Sequence, residues 1–303
     1  MQLLKWIISA GSLFLLLLSP LGVHALTVGP VKLNVTLEPG ETLGQKIILF
    51  NESEKPLKLQ GEVTNITFAP GEKGVPIPAG IFGPDSLANW ITLSKNKVTL
   101  QPKERKEIPF QIVLPNYANP GGYYAQIGWS PVVQVGSEIT AIEKIASLVL
   151  LRVEGDVKES ARVEFFGNQK NSNRFEKIPI PLSVRIRNTG TIHIAPSGEI
   201  RILDAGGATV ARLPFNQGGQ VAYILPNEVR SFDLMWNDEF RFGKYTAAFD
   251  LMYGESLSEL HGEYTFWIIP TYLLIAWLVV AVLIIILCFG VLKKCISLSR
   301  KHV

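Results

Sequence analysis

The chain has 303 residues, 47% of them hydrophobic and 18% charged, with a formal net charge of +3. So small a charge, with no basic run outside the C-terminal tail, argues against nucleic acid as a partner. Two cysteines and four histidines leave little for a disulfide framework or a zinc site.

Residues 6–18 form the first apolar run, preceded by the single cation Lys5 and closed by Ser19-Pro20-Leu21-Gly22. A membrane span needs ~20 apolar residues, and this run is shorter. With small residues at Val23 and Ala25 it reads as a signal peptide (1–25) cleaved after Ala25 rather than as an uncleaved anchor.

Residues 26–266 read as strands. Alternation is strict in Leu182-Ser-Val184-Arg-Ile186-Arg, and Tyr245, Ala247, Phe249, Leu251 and Tyr253 share a second face. Segments 28–37 and 106–114 behave similarly, and the unbroken apolar run 145–153 suits a strand covered on both sides. Turn chemistry recurs between them, at Pro39-Gly40, Asn51 to Pro56, Asn188-Thr-Gly190 and Ala205-Gly-Gly207. One short helical turn is expected around Asp85 to Asn89, and 68–81 is a Gly- and Pro-rich excursion. The expected fold is all-β, with two immunoglobulin-like sandwiches divided in a charged stretch near Gly155 to Ser160: 26–157 and 158–266. No tandem repeat is apparent.

Segment 267–292 carries no Asp, Glu, Lys or Arg. At ~1.5 Å per residue it covers a ~30 Å hydrocarbon core. Trp267, Tyr272 and Trp277 lie towards its outer half, and Lys293, Lys294, Arg300 and Lys301 follow in the tail 293–303. A buried core helix is the alternative, which this length disfavours. The expectation is a C-terminal transmembrane helix of a single-pass cell-membrane protein, with its sandwiches outside and its C-terminus cytoplasmic. Without Lys5 and the four tail cations, the exported part holds 24 cations against 26 anions, a net charge near −2. Both cysteines, Cys288 and Cys295, belong to the membrane side, so the exported part is stapled by none.

Enzyme chemistry finds no residue set. His193 and His261 lack neighbours at metal-ligand spacing, and His193 reads as a half-exposed strand residue. Asp238 and Glu239 read as an exposed turn, since adjacent carboxylates in a strand point to opposite faces. No catalytic residue, cofactor or metal is expected. Aromatic side chains are the better lead, because their faces stack on sugars or anchor a protein. Tyr117, Tyr123 and Tyr124 are the candidate binding residues. On the strand from Tyr123, Ile127 and Trp129 share one face and read as core. Gln126 marks the other as polar, making Tyr124 the best exposed contact. The alternative is that all these rings are packing residues. Asn34, Asn51 and Asn65 begin glycosylation sequons, and Asn51 reads more simply as a turn residue.

The order Val35-Thr-Leu-Glu-Pro-Gly, Ile47 to Asn51, Trp90-Ile-Thr-Leu, Val98-Thr-Leu-Gln-Pro, Ile112-Val-Leu-Pro and Pro120-Gly-Gly-Tyr-Tyr resembles the immunoglobulin-like domain that begins WxL-interacting proteins of Gram-positive surfaces. More loosely it resembles pilus-chaperone-type sandwiches. Val184 to Gly190, Leu225-Pro and Gly243-Lys-Tyr245 have a comparable layout in the membrane-proximal domains of such proteins. The resemblance implies a bacterial cell-surface protein that adheres to or assembles at the envelope, with cell-wall polysaccharide (peptidoglycan) or a surface protein as partner. It supplies no matching ligand residues. The second functional reading is a structural spacer, or an accessory subunit of a membrane complex.

Overall fold

The computed structural model describes residues 26–68, 76–79, 85–135, 138–141, 144–218, 221–238 and 242–299. The expected signal peptide, most of the 68–81 excursion, Glu239 and the last tail residues lie outside these. Two compact units divide the chain, one of residues up to Thr67 with Ile77–Val157, the other from Lys158 onward.

The first unit runs β1 (Leu26–Gly29), β2 (Lys32–Leu37), β3 (Thr42–Asn51), β4 (Leu57–Phe68), β5 (Pro76–Pro78), α1 (Leu87–Trp90), β6 (Ile91–Leu93), β7 (Lys97–Leu100), β8 (Arg105–Val113), β9 (Gly121–Val135), β10 (Glu138–Ala141) and β11 (Ile145–Val153). One sheet has the order β1-β3-β8-β6. The other has β2-β11-β9-β4-β5, with β7 on β4 and β10 on β9. In immunoglobulin terms these are the A-B-E-D and G-F-C sheets, so the architecture follows from connectivity itself. Residues 28–37, expected as one strand, are two. Pro30 follows a cis peptide bond, and the chain passes from an antiparallel pairing with β3 to a parallel pairing with β11. The alternation of the segment is compatible with either sheet, which is why it hid the crossing. Ile47, Leu49, Leu59, Leu100, Ile108, Phe110, Ile112 and Trp129 fill the space between the sheets, all 2% exposed or less.

The second unit runs β12 (Ala161–Gly167), β13 (Arg174–Phe175), β14 (Ile180–Asn188), β15 (Ser197–Leu203), β16 (Thr209–Phe215), β17 (Val229–Trp236), β18 (Gly243–Tyr253), β19 (Ser258–Ile268) and α2 (Thr271–Ser299). Its sheets are β12-β14-β17 and β13-β19-β18-β15-β16, or A-B-E against A′-G-F-C-C′. The A-B-E and G-F-C orders thus occur in both units, although the sequence shows no repeat. The alternating residues of β14 and β18 face the core as their period demands, with Leu182, Val184, Ile186, Ala247 and Leu251 all 1% exposed or less.

Trp267 and Ile268, assigned from sequence to the terminal helix, pair with Lys244 and Gly243 as the end of β19. The helix begins at Thr271 and continues through Lys293 and Lys294 to Ser299. Side chains in α2 are described without a break only over 275–291, and all are exposed. That unbroken stretch is 17 residues, and among the described residues no helix is long and apolar enough to cross a membrane.

Candidate functional site

The three candidate tyrosines do not form one surface. Tyr117 lies in the β8–β9 loop and is 66% exposed. Tyr123 starts strand F with its ring tilted against Trp90, centroids 4.7 Å apart, and its hydroxyl donates to the Asn119 carbonyl oxygen at 3.0 Å. That is a tyrosine corner, which ties strand F to the loop before it. Burial, followed by the nearby Asp85 carboxylate, raises the Tyr123 hydroxyl above its ordinary pKa. Tyr124 points to the opposite face, where it is half-buried.

That opposite face was expected to be solvated, and it is not. Gln126 is 7% exposed, its side-chain amide donating to Thr64 Oγ1 at 3.0 Å. Leu150, the register partner of Tyr124, is 1% exposed. A polar side chain marked the face correctly but not its exposure, because one side-chain hydrogen bond makes burial of an amide affordable. Ile127 and Trp129 are fully buried core residues.

The other singled-out residues are structural. Asn51 is fully buried: its Nδ2 donates to the Lys55 and Gln101 carbonyls at 2.8 and 2.9 Å, and its Oδ1 accepts from the Ser53 N–H at 3.0 Å. Its sequon has no free amide in the folded chain. His193, expected half-exposed on a strand, is buried in the connection after β14, with its ring edge-on to Tyr223 at 5.2 Å. Asp238 is exposed. Among the described residues, no group of three or more His, Cys, Asp or Glu side chains is arranged to hold a metal ion.

The feature that sequence reasoning missed is a cleft of about 680 Å³ on one side of the first sandwich. Its walls include Gln60, Glu62 and Val63 of β4 and Thr92, Leu93 and Lys95 of β6 and the turn after it. Strand β6 pairs with β8 along one edge, and no other described strand meets it. Strand β4 is paired with β7 only over Leu57–Gln60. Beyond that, the Gly61 N–H donates to Asn96 O at 2.7 Å, and Asn65 O accepts from the Ala79 N–H at 2.8 Å. Backbone groups alternate sides along a strand, so Val63 directs its N–H and C=O to this same edge. The Asn65 side chain accepts from the Ala88 N–H at 3.0 Å and so holds α1, and with it β6, beside β4. Two strand edges therefore face one cleft, flanked by an anion (Glu62, paired with Lys144 at 2.6 Å) and a cation (Lys95). A three-residue edge strand carries no sequence signal of its own, so only the strand pairing reveals this site.

A second, smaller groove of about 290 Å³ lies on the outer face of β1 and β3, lined by Thr27, Gly29, Ile48, Phe50 and Arg105. Its polar groups are few, and one of them, the Thr27 hydroxyl, already donates to the Glu52 carboxylate.

No family model matches this chain, and no curated protein matches it. Among solved structures it is similar to the class 5 fimbriae chaperone CfaA, with 13% identity and a TM-score of 0.39 over 81% of this chain and 100% of that one. It is also similar to a chain of the CsuC–CsuE chaperone–tip adhesion subunit pre-assembly complex of Acinetobacter baumannii, at 11% identity and 0.39 over 79% and 97%. A third is a chain of the Salmonella enterica SafA pilin–SafB chaperone complex, at 9% and 0.38 over 82% and 97%. At these identities and TM-scores the likenesses carry no conclusion about this chain.

Proposed function

We propose that the protein is a membrane-tethered, non-catalytic binding protein of the cell surface, whose first sandwich takes an extended segment of a surface-protein partner into the β4–β6 cleft. The observation that carries this reading is that, among the described residues, β6 pairs with β8 alone and β7 covers β4 only as far as Gln60, with both strands lining one cleft. Exposed strand edges offer main-chain donors and acceptors to an added strand, and pockets for alternate side chains give such sites their specificity. A volume of ~300–1,000 Å³ is usual for a ligand site. The tyrosines support a sugar-stacking platform less well, since Tyr123 is turned inward and Tyr124 is half-buried.

The tether is the charge-free segment ending at Leu292, which α2 presents as one helix with outward apolar side chains. The cations Lys293, Lys294, Arg300 and Lys301 after it support an orientation with the C-terminal end in the cytoplasm and both sandwiches outside. A photo-crosslinking residue at Thr92 of the full chain, activated in the native envelope, should capture a protein, while the same residue at the exposed Leu257 of the second sandwich captures none. Adducts removed by a wall-degrading glycosidase, or no adduct at Thr92, would rule the protein partner out. If the role is instead that of an accessory subunit acting through α2, exchanging the helix for an unrelated span abolishes function and leaves capture at Thr92 intact.

A further inference from the structure

We infer that the end of the second sandwich from which α2 departs is itself a membrane-contacting surface, with Phe242, Trp267 and Met235 entering the lipid headgroup layer and Lys177, Lys244 and Arg174 meeting lipid phosphates. This inference rests on α2 spanning the membrane. Strand β19 ends at Ile268 and α2 begins at Thr271, so only Ile269 and Pro270 intervene. At ~3.3–3.6 Å per residue, Ile268 stands within about 10 Å of the first helical residue. Counting 20 residues back from Lys293 places the start of the ~30 Å hydrocarbon core near residue 273. Thr271 and Tyr272, both exposed, then occupy the outer boundary. The headgroup layer beyond it is ~5–7 Å deep, so a connection this short cannot hold the sandwich clear of it.

The side chains at that end match the position. Gly243 and Lys244 pair with Ile268 and Trp267, Arg174 pairs with Trp267, and Met235 pairs with Pro181 close to the start of β14. Phe242 and Met235 are each 58% exposed, and Trp267 is 41% exposed. An exposed Phe–Trp pair is costly to leave in water and is suited to the interface, where an aromatic body sits among headgroups. Arg174, Lys177 and Lys244 are exposed at the same end, and each near the surface of an anionic leaflet contributes attraction. The opposite end of the β18–β19 hairpin, where Tyr253 pairs with Ser258, is ten residues further along the strands, or about 33 Å away. Leu257 there, 64% exposed, stands outside the membrane's reach.

The test uses the full chain with Cys288 and Cys295 replaced by Ser, reconstituted in phosphatidylcholine–phosphatidylglycerol vesicles. Single cysteines at Phe242→Cys, Leu257→Cys and Leu283→Cys carry an environment-sensitive fluorophore. Quenching is read with headgroup-level and deep acyl-chain spin-labelled lipids. The inference expects several-fold stronger headgroup-level quenching at 242 than at 257, and deep quenching at 283. Deep quenching at 283 with 242 no more quenched than 257 overturns the contact surface while leaving the span intact. No quenching at 283 overturns the span and this inference together. Lys244→Glu together with Arg174→Glu should reduce the signal at 242 without moving that at 283, and an unchanged signal at 242 removes the cations from the surface.

Discussion

Strand F of the first sandwich begins Gly121-Gly-Tyr123-Tyr-Ala125, and strand F of the second begins Gly243-Lys-Tyr245-Thr-Ala247, with both alanines fully buried. Strand B of each ends on a fully buried asparagine, Asn51 or Asn188. Asn188 donates to the Ile192 and Ile224 carbonyls at 2.7 and 2.9 Å and accepts from the Gly190 N–H at 2.8 Å. These are the counterparts of the Lys55, Leu100 and Ser53 contacts of Asn51. The turn into strand E is also the same. Leu100-Gln-Pro-Lys103-Glu matches Ile224-Leu-Pro-Asn227-Glu, with Lys103 and Asn227 at φ of 59° and 65°. What differs is the core. The first sandwich is filled largely by Ile and Leu around Trp129. The second stacks Trp236, Tyr245 and Phe266, with Trp236–Tyr245 centroids at 5.2 Å and Tyr245–Phe266 at 6.0 Å. Groups that satisfy buried backbone have one geometric solution for a given topology. Apolar volume has many.

That contrast can be broken most forcefully at the tryptophans. Trp129→Ala and Trp236→Ala should each cost about 3–5 kcal/mol, because both rings are fully buried. The second should lie at the upper end, since the stiff rings beside Trp236 relax poorly into a cavity. Denaturant unfolding with hydrogen exchange read strand by strand measures both, and a smaller loss at Trp236 would reverse the assignment of the stiffer core. Among the described residues neither indole N–H has a hydrogen-bond partner. Trp→Phe at either site should therefore cost well under half as much as Trp→Ala.

The shared clamps predict equality where the cores predict difference. Asn51→Ala and Asn188→Ala each strand buried carbonyls, at a cost of about 3 kcal/mol per site. Unequal losses differing by more than ~1 kcal/mol would show that the two clamps are alike in geometry only. A smaller effect of the same kind belongs to two strand glycines. Gly61 pairs with Trp129 and Gly262 with Phe249, and a Cβ added at either would sit 2.8 or 2.5 Å from ring carbons. Alanine at each should destabilise by ~1–3 kcal/mol through overpacking, measured by the same unfolding experiment.

Much of this was legible in the residues. The period of two in β14 and β18 announced buried faces because each strand has one covered side. The Ile145–Val153 run announced cover on both sides, which Val149 and Leu150 now show at 1% exposure or less. The crossing at Pro30 was not legible, since alternation says which residues point inward but not which sheet they join. Nor was the duplication: its determinants are single residues such as Asn51 and Asn188, spread over segments whose other positions are free to vary. Tyr123 was legible as an aromatic of consequence, but a hydroxyl bonded four residues back is invisible until the corner closes. The β4–β6 cleft depends on which strands pair along each edge among the described residues, and no local pattern records that.

The smallest expected effect separates the sandwiches by pH. The first has no histidine, whereas His261 of the second places Nδ1 2.7 Å from Asp250 Oδ1 and Nε2 3.2 Å from Glu259 Oε2. The hydrogen bond to Asp250 raises the His261 pKa above 6.5, with the neighbouring carboxylate charges adding to it. The same bond, with help from Arg201, lowers Asp250 below 3.8. A raised histidine stabilises the fold fully below its unfolded pKa, and that contribution fades as pH climbs through the folded value. A lowered aspartate stabilises above its unfolded pKa and fades as pH falls through the folded one. The pair therefore contributes most between about pH 4 and 6.5. Its effect is limited because both side chains are more than half exposed and screened by salt. Imidazole NMR titration should find His261 above its ordinary pKa in the parent and close to it in Asp250→Asn. Above neutrality the parent should lose the advantage that it holds over this variant near pH 6. An unshifted His261 in the parent would remove the pair as a source of difference between the two sandwiches, and leave their cores as the remaining one.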